Sequence, residues 1–151
     1  MTSDPNNSVE LVIDKFIFRF PVVLRYSEAG LWVGQEGDLL RIGMADFAQQ
    51  RNGDITFVTL MSPGPVEVDA EIASIETVKV SISLPSPVKG RVVEINSALQ
   101  DSPELINQEP YARGWMVVMQ PESLERELSR LLTAETYSKL ARQQAEAELK
   151  P

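Results

Sequence analysis

Cysteine and histidine are both absent from the 151 residues. Without cysteine there is no disulfide, no iron–sulfur cluster and no thiol nucleophile. Without histidine, zinc finds neither of its two favoured ligand types, and every mechanism built on imidazole is excluded. Lysine is scarce, with only Lys15, Lys79, Lys89, Lys139 and Lys150. Basic residues number 14 against 22 acidic ones, for a net charge of −8. That balance argues against nucleic acid and against an anionic membrane as partners, because both reward basic surfaces. A long hydrophobic run is lacking too. The most apolar early stretch, residues 11–24, is interrupted by Asp14, Lys15, Arg19 and Pro21 and is too short to span a bilayer. The N-terminus has no basic region followed by an apolar one, so it does not read as a secretory signal, and a cytoplasmic location is expected. An enzyme here would have to work with carboxylates, Lys, Arg, Tyr or Ser alone. The composition points to a carrier or binding protein.

What is present suffices for one ordinary domain, since 43% of residues are apolar. Residues 1–8 are polar and turn-rich and are expected to form a disordered tail. Residues 9–151 are expected to form a single domain. Residues 16–24 hold Pro21 and read as an edge strand or extended arm. Residues 31–33 and 39–43, joined by a turn over 34–38, read as a hairpin. Residues 44–51 form one short helix that stops at Asn52-Gly53. Residues 55–60 are β-rich, and Ser62-Pro63-Gly64-Pro65 is a turn. Residues 66–72 alternate apolar and acidic without a slip, which predicts a half-buried strand. Residues 75–84 alternate in part, with Glu76-Thr77-Val78-Lys79 in their middle. Residues 88–95 are a strand, 96–114 a long polar turn-rich stretch, and 115–119 the last strand. The Pro-led segments 65–72 and 87–95 echo one another and suggest two halves packed symmetrically about a hairpin. Beyond Pro121, Leu124, Leu128, Leu131 and Leu132 recur at helical spacing. Thr133 then caps a second helix that frays from Ala145 onward, so that helices occupy 123–149. The predicted class is mainly β, a small sandwich or barrel with a helical appendage.

Lys79 stands between two valines, in a strand–turn–strand context. A lysine at a hairpin tip is well presented for modification by another enzyme, and its long stem adds reach. From Lys79 alone, a solvated hairpin lysine is the plainer reading. Glu67, Asp69 and Glu71 resemble a carboxylate cluster, but a wet sheet face, or an acidic docking surface for a basic partner, explains them better. Residues 34–37 are a hairpin turn rather than a phosphate loop, because no helix and no Gly-Lys-Ser/Thr follows. No nucleophile–base pair supports a hydrolase.

The residues around Lys79 narrow the choice. Glu76-Thr77-Val78-Lys79 followed by Ser86-Pro87-Val88-Lys89-Gly90 resembles the glycine cleavage H-protein family, the lipoyl carriers. There a Glu-Ser-Val-Lys-like tetrapeptide carries lipoate, and a Ser-Pro-Val-x-Gly turn follows at the same distance. Gly43-Met44-Ala45-Asp46-Phe47-Ala48-Gln49 is similar to the family's Gly-Ile-Thr-Asp-Tyr-Ala-Gln helix. Gly53-Asp54-Ile55-Thr56-Phe57-Val58 is similar to its Gly-Asp-Ile-Val-Phe-Val strand. Val93-Glu94-Ile95-Asn96, Asp101-Ser102-Pro103-Glu104-Leu105-Ile106-Asn107, Pro110-Tyr111 and Gly114-Trp115 continue the match in order, over about residues 26–140. Glu-x-x-Lys also occurs in biotin carriers, but Met usually flanks that lysine, where Val78 and Val80 stand here.

The resemblance implies a mainly β hybrid barrel-sandwich, of the lipoyl/biotinyl-carrier type, with short helices and a C-terminal helical segment. It implies a non-catalytic carrier with lipoate attached to Lys79 by a lipoate ligase or lipoyl transferase, and with Glu76, Thr77 and Val78 as the attachment motif. The implied partners are glycine decarboxylase, aminomethyltransferase and dihydrolipoamide dehydrogenase. Tyr111 and Trp115 are scaffold residues in this reading, and Lys89 is a solvated lysine. Two positions depart from the family. Leu31 stands where the family has Glu before its first tryptophan, and Ser83 stands where it has Asp after the lipoyl lysine. Both lost carboxylates would suit an aminomethyl cation. Glu76 or Glu28 could replace them, and the double change Leu31→Glu, Ser83→Asp is expected to improve handling of that group. Alternatively, the arm carries sulfur for a heterodisulfide-reductase-like complex. A reading of another class is an unlipoylated structural or regulatory module.

Overall fold

Alternation of apolar and polar residues keeps most of the chain extended, and the two apolar faces so formed close on one core. The computed structural model describes residues 7–149. The strands are β1 (Ser8–Ile13), β2 (Phe16–Pro21), β3 (Arg25–Tyr26), β4 (Leu31–Glu36), β5 (Leu39–Met44), β6 (Ile55–Leu60), β7 (Gly64–Val66), β8 (Glu71–Thr77), β9 (Ser81–Pro85), β10 (Gly90–Ile95) and β11 (Val117–Pro121). Helix α1 (Asp46–Asn52) follows β5, the single turns α2 (Ala98–Asp101) and α3 (Leu105–Gln108) precede β11, and α4 (Leu124–Ser129) and α5 (Ala134–Leu149) follow it. One sheet has the order β3-β4-β5-β11-β10-β7 and another the order β6-β8-β9, while β1 and β2 pair separately. The main core lies between the two larger sheets. Leu31, Leu40, Ile42, Val92 and Met119 meet Ile72, Ile75 and Leu84 in one cluster.

A second cluster fixes the C-terminal helix. Ala134, Tyr137, Ala141 and Ala145 form the buried stripe of α5, against Leu11, Phe18 and Phe20 of the β1–β2 hairpin. Tyr137 stacks on Tyr26 with centroids 5.0 Å apart, and Phe20 meets Tyr137 edge-on at 5.1 Å. The predicted cap at Thr133 is present, and α4 has one as well. Ser123 Oγ accepts from Arg126 N at 3.4 Å, and Thr133 Oγ1 from Thr136 N at 3.2 Å.

Several expectations need correction. Residues 1–6 of the expected tail lie outside the described residues, and Ser8 already belongs to β1, pairing with Pro21. The segment 66–72 is not one strand. Val66 ends β7, and Asp69 turns the chain in the left-handed region at φ 70° before Glu71 opens β8. The turn is held by Asp69 N donating to Ser86 O and Ser86 N to Ala70 O, so its backbone polar groups are satisfied without a strand partner. Residues 96–114 hold α2 and α3. Helix α5 runs to Leu149, because Ala145 is buried against the hairpin rather than fraying. The echo of 65–72 with 87–95 reduces to β7 pairing with β10, Pro65 opposite Arg91.

Glu127 ties α4 to the turn before β10. Its buried carboxylate accepts from Lys89 N at 2.9 Å and pairs with Arg126 and Arg130. Burial raises its pKa, but the Lys89 N–H and the two guanidiniums outweigh that, and the carboxyl is held below the usual range. Glu127→Ala leaves the Lys89 N–H without its acceptor and should cost about 1–3 kcal/mol in denaturant unfolding. A carboxyl whose folded pKa is depressed stabilises the fold above its unfolded value, near 4.3, and loses that contribution as pH falls through the folded value. The gap between parent and Glu127→Ala midpoints should therefore be full at pH 7 and shrink in acid.

Candidate functional site

The β8–β9 hairpin presents Lys79. Strand β8 is the middle of its sheet, and Ile72, Ala73, Ile75 and Leu84 anchor the hairpin in the core. Glu76 faces Ser81 at the last strand pair, so residues 77–80 form the tip. Thr77 N donates to Val80 O at 2.8 Å and closes the turn. The Thr77 hydroxyl then accepts from Lys79 N at 3.2 Å and Val80 N at 3.1 Å. A short polar side chain thus satisfies the two tip donors, which holds the Lys79 backbone in place while its side chain stays in solvent. Glu76 is exposed, and its carbonyl accepts from Thr56 Oγ1 at 3.1 Å. Val78 is 90% exposed.

The other described lysines are engaged. Lys89 Nζ lies 3.2 Å from Glu122 and 3.5 Å from Glu67, so it is ion-paired rather than merely solvated. The hydrogen bond to Glu122, its charge and that of Glu67 raise the Lys89 pKa. Lys139 pairs with Glu135, and Lys15 sits 5.9 Å from the Phe16 ring centroid. Among the described residues, Lys79 alone of the lysines has neither an ion pair nor a ring partner. A lysine amine that another enzyme must acylate needs this freedom, because a carboxylate partner holds the amine protonated and fixes its stem.

A sequence model of the glycine cleavage H-protein matches residues 24–144. The glycine cleavage system H protein of a Geobacillus strain is 44% identical over 82% of this chain and 97% of its own length. That of Oceanobacillus iheyensis is 49% identical over 78% of this chain and 93% of its own length. The crystal structure of a glycine cleavage system H protein from Mycobacterium marinum superposes with a TM-score of 0.72 at 30% identity, covering 80% of this chain and 97% of that one. The chain belongs to the glycine cleavage H-protein family. The family's members are non-catalytic lipoyl carriers, and the barrel-sandwich hybrid expected from the sequence is the fold observed. No described helix is long and apolar enough to cross a membrane.

Within the family frame the two departures separate. Ser83 is exposed on β9, opposite Ser74. Leu31 is 0% exposed, on β4 opposite Met44, and belongs to the main core. It therefore offers no surface to an arm, which corrects the expectation that Leu31→Glu would help hold a cation. Glu28 lines a cavity of about 370 Å³ with Asp69, Ser86 and Arg130, at the base of the hairpin and not at its tip. A second cavity, about 620 Å³ beside Lys89 and Glu122, likewise includes no tip residue. Glu67, Asp69 and Glu71 are all exposed but lie in a loop, a turn and a strand start, so they share no strand face. Tyr111 is scaffold as expected. Its hydroxyl accepts from Asp46 N at 2.9 Å and donates to Arg19 O at 2.6 Å. One exposed residue beside the motif was not singled out from the sequence. Phe57 faces Glu76 across the sheet. The sign was the adjacent pair Phe57-Val58, which breaks the period of two in residues 55–60.

Proposed function

We propose that the chain is a lipoyl carrier of the glycine cleavage system, loaded at Lys79. The observation that supports this most is the unpartnered Lys79 at a capped hairpin tip, at the position where the family's motif has its lipoyl lysine. The residues fit the group: the amine is free, the tip donors are satisfied, and the hairpin stands on a buried base. When bound, the lipoyl group supplies the dithiol and disulfide chemistry that a chain without cysteine lacks. The protein contributes presentation. Tethering raises the local concentration of the attached group to the order of mM for a short flexible linker.

A lipoate ligase or lipoyl transferase attaches the group. Glycine decarboxylase, aminomethyltransferase and dihydrolipoamide dehydrogenase then act on the arm in turn, in the cytoplasm. The sulfur-carrying alternative drew on Leu31 and Ser83 as lost carboxylates of the arm site; with Leu31 in the core, only Ser83 is left to support it. Incubation with lipoate, ATP and a lipoate ligase, read by intact mass and peptide mapping, tests the reading. Modification confined to Lys79 supports it, and an unmodified Lys79 peptide overturns it.

Thr77 positions Lys79 in this scheme. Thr77→Val removes the acceptor of two N–H groups while keeping the branched shape. Water can replace an exposed acceptor, and a hydrogen bond contributes only about 0.5–1.5 kcal/mol, so stability should barely change. The tip should instead sample more conformations. Thr77→Val is expected to lower kcat for ligase attachment roughly 3–10-fold, corresponding to about one such bond. Thr77→Ser should retain the parent rate. Equal rates for all three proteins would remove Thr77 from any positioning role.

A further inference from the structure

Phe57 is a large apolar side chain turned into solvent by an irregularity in its strand. It is 55% exposed. Strand β6 pairs with β8 so that Ile55 faces Thr77 but Phe57 faces Glu76, and the register shifts between the two pairs. Thr56 is the extra residue. Starting from buried Ile55, plain alternation would turn Phe57 inward and leave Val58 outside. After the bulge, Thr56 and Phe57 are both exposed and Val58 is buried. Bulges commonly re-aim a side chain beside a functional site. Here the bulge buries Val58 and leaves the larger phenyl ring in solvent.

The place where the ring emerges decides its use. Residues directly opposite in an antiparallel pair share a face, so Phe57 and Glu76 stand side by side, at the strand pair next to the 77–80 tip that holds Val78 and Lys79. Val80 completes an apolar collar at 45% exposure. An enzyme that encloses the Lys79 amine cannot avoid Val78 and Val80, its chain neighbours, and it meets Phe57 at the next step down the hairpin. Enzymes acting on a loaded carrier grip the arm as well as the protein. The enzyme that attaches the arm meets the bare tip and has only the protein surface to recognise.

We propose that Phe57, with Glu76 beside it and Val78 at the adjoining tip, is the anchor by which the lipoate-attaching enzyme grips this protein. The proposal rests on the assignment of Lys79 as the loaded residue. It calls for an apolar socket in that enzyme, bordered by Lys or Arg to meet Glu76. A buried aromatic anchor of this kind dominates binding energy, whereas polar contacts at the rim add mainly orientation.

The test uses the full chain with lipoate, ATP and a lipoate ligase, and measures initial attachment rate against carrier concentration. Phe57→Ser should raise KM for the carrier roughly 10–50-fold, the loss of one hot-spot side chain, with kcat within about twofold. Val78→Ser should move KM the same way by less. Ile17→Ser, which removes exposed apolar surface from β2 of the N-terminal hairpin, is the control and should leave KM unchanged. Thermal midpoints should be near the parent's, since none of the three side chains is in the core. Parent-like KM values for both Phe57→Ser and Val78→Ser, with Lys79 still loaded, would overturn the anchor alone. An equal rise for Ile17→Ser would also overturn it, because the effect would then be general stickiness. Failure of the parent protein to load at Lys79 would instead overturn the assignment on which the anchor rests.

Discussion

Lys79→Arg should give a folded protein that never gains the lipoyl mass, while Lys89→Arg should load as the parent does. The expected effect is complete because the chemistry needs a free amine. In the proposed attachment the Lys79 nitrogen would attack the activated carboxyl of lipoate, forming the amide C–N bond as the activating group leaves and a proton passes to solvent. Arginine keeps the charge but has no lone pair to offer, since its guanidinium stays protonated at any working pH. Lys89 has an amine, but Glu122 and Glu67 raise its pKa and hold it in an ion pair. Stability should be unaffected, within about 0.5 kcal/mol, because Lys79 is exposed at a tip that its own backbone and Thr77 hold together. Intact mass reads the first expectation and thermal unfolding the second. The lipoyl mass on Lys79→Arg would move the site to another lysine.

The hairpin that presents the candidate site was legible because it is local. Glu76-Thr77-Val78-Lys79 and the Ser86-Pro87 turn fix a hairpin tip and its base by chain proximity, and the structure places both as expected. The cap at Thr133 was legible for the same reason. What was not legible depended on distant partners. Residues 66–72 alternate as a strand should, but the carbonyl of Ser86 and the N–H of Ser86 satisfy a turn at Asp69 instead. Asp tolerates the left-handed region better than most residues, so no glycine marked the turn. Strand β1 was overlooked beside β2 although Val9, Leu11 and Ile13 alternate and Asp14-Lys15 makes a two-residue turn. Apolar Val12 on the open face blurred the pattern, whereas Glu10 keeps it and is answered by Arg19 across the pair at 3.4 Å. The end of α5 was misjudged because Ala145 looks neutral in sequence and becomes core only against that hairpin. The surroundings of Leu31 were not legible, because a family position does not say which way β4 turns its side chain, and it turns into the core.

Leu31→Glu should accordingly cost about 4 kcal/mol or more rather than improve the carrier. Leu31 has no exposed surface, and its N–H is already spent on Ser27 Oγ at 3.1 Å. Removing a buried leucine costs about 2–5 kcal/mol, and setting a carboxyl without a partner in its place adds the desolvation of that group. That is a large share of a total stability of about 5–15 kcal/mol. Leu31→Met, which conserves volume, should lose less than about 1.5 kcal/mol. The pH dependence separates burial from other damage. A buried glutamate takes up its proton more readily folded than unfolded, so its raised folded pKa makes the fold less stable as pH rises above the unfolded value near 4.3. The Leu31→Glu midpoint should therefore climb toward the parent's as pH falls from 8 toward 5, and the Leu31→Met midpoint should show no such trend. Ser83→Asp, exposed on the edge strand, should stay within about 0.5 kcal/mol of the parent and is the one departure free to meet an arm on Lys79. A Leu31→Glu protein that unfolds at the parent midpoint at every pH would show that its side chain turns out of the core, and would return position 31 to the arm's surroundings.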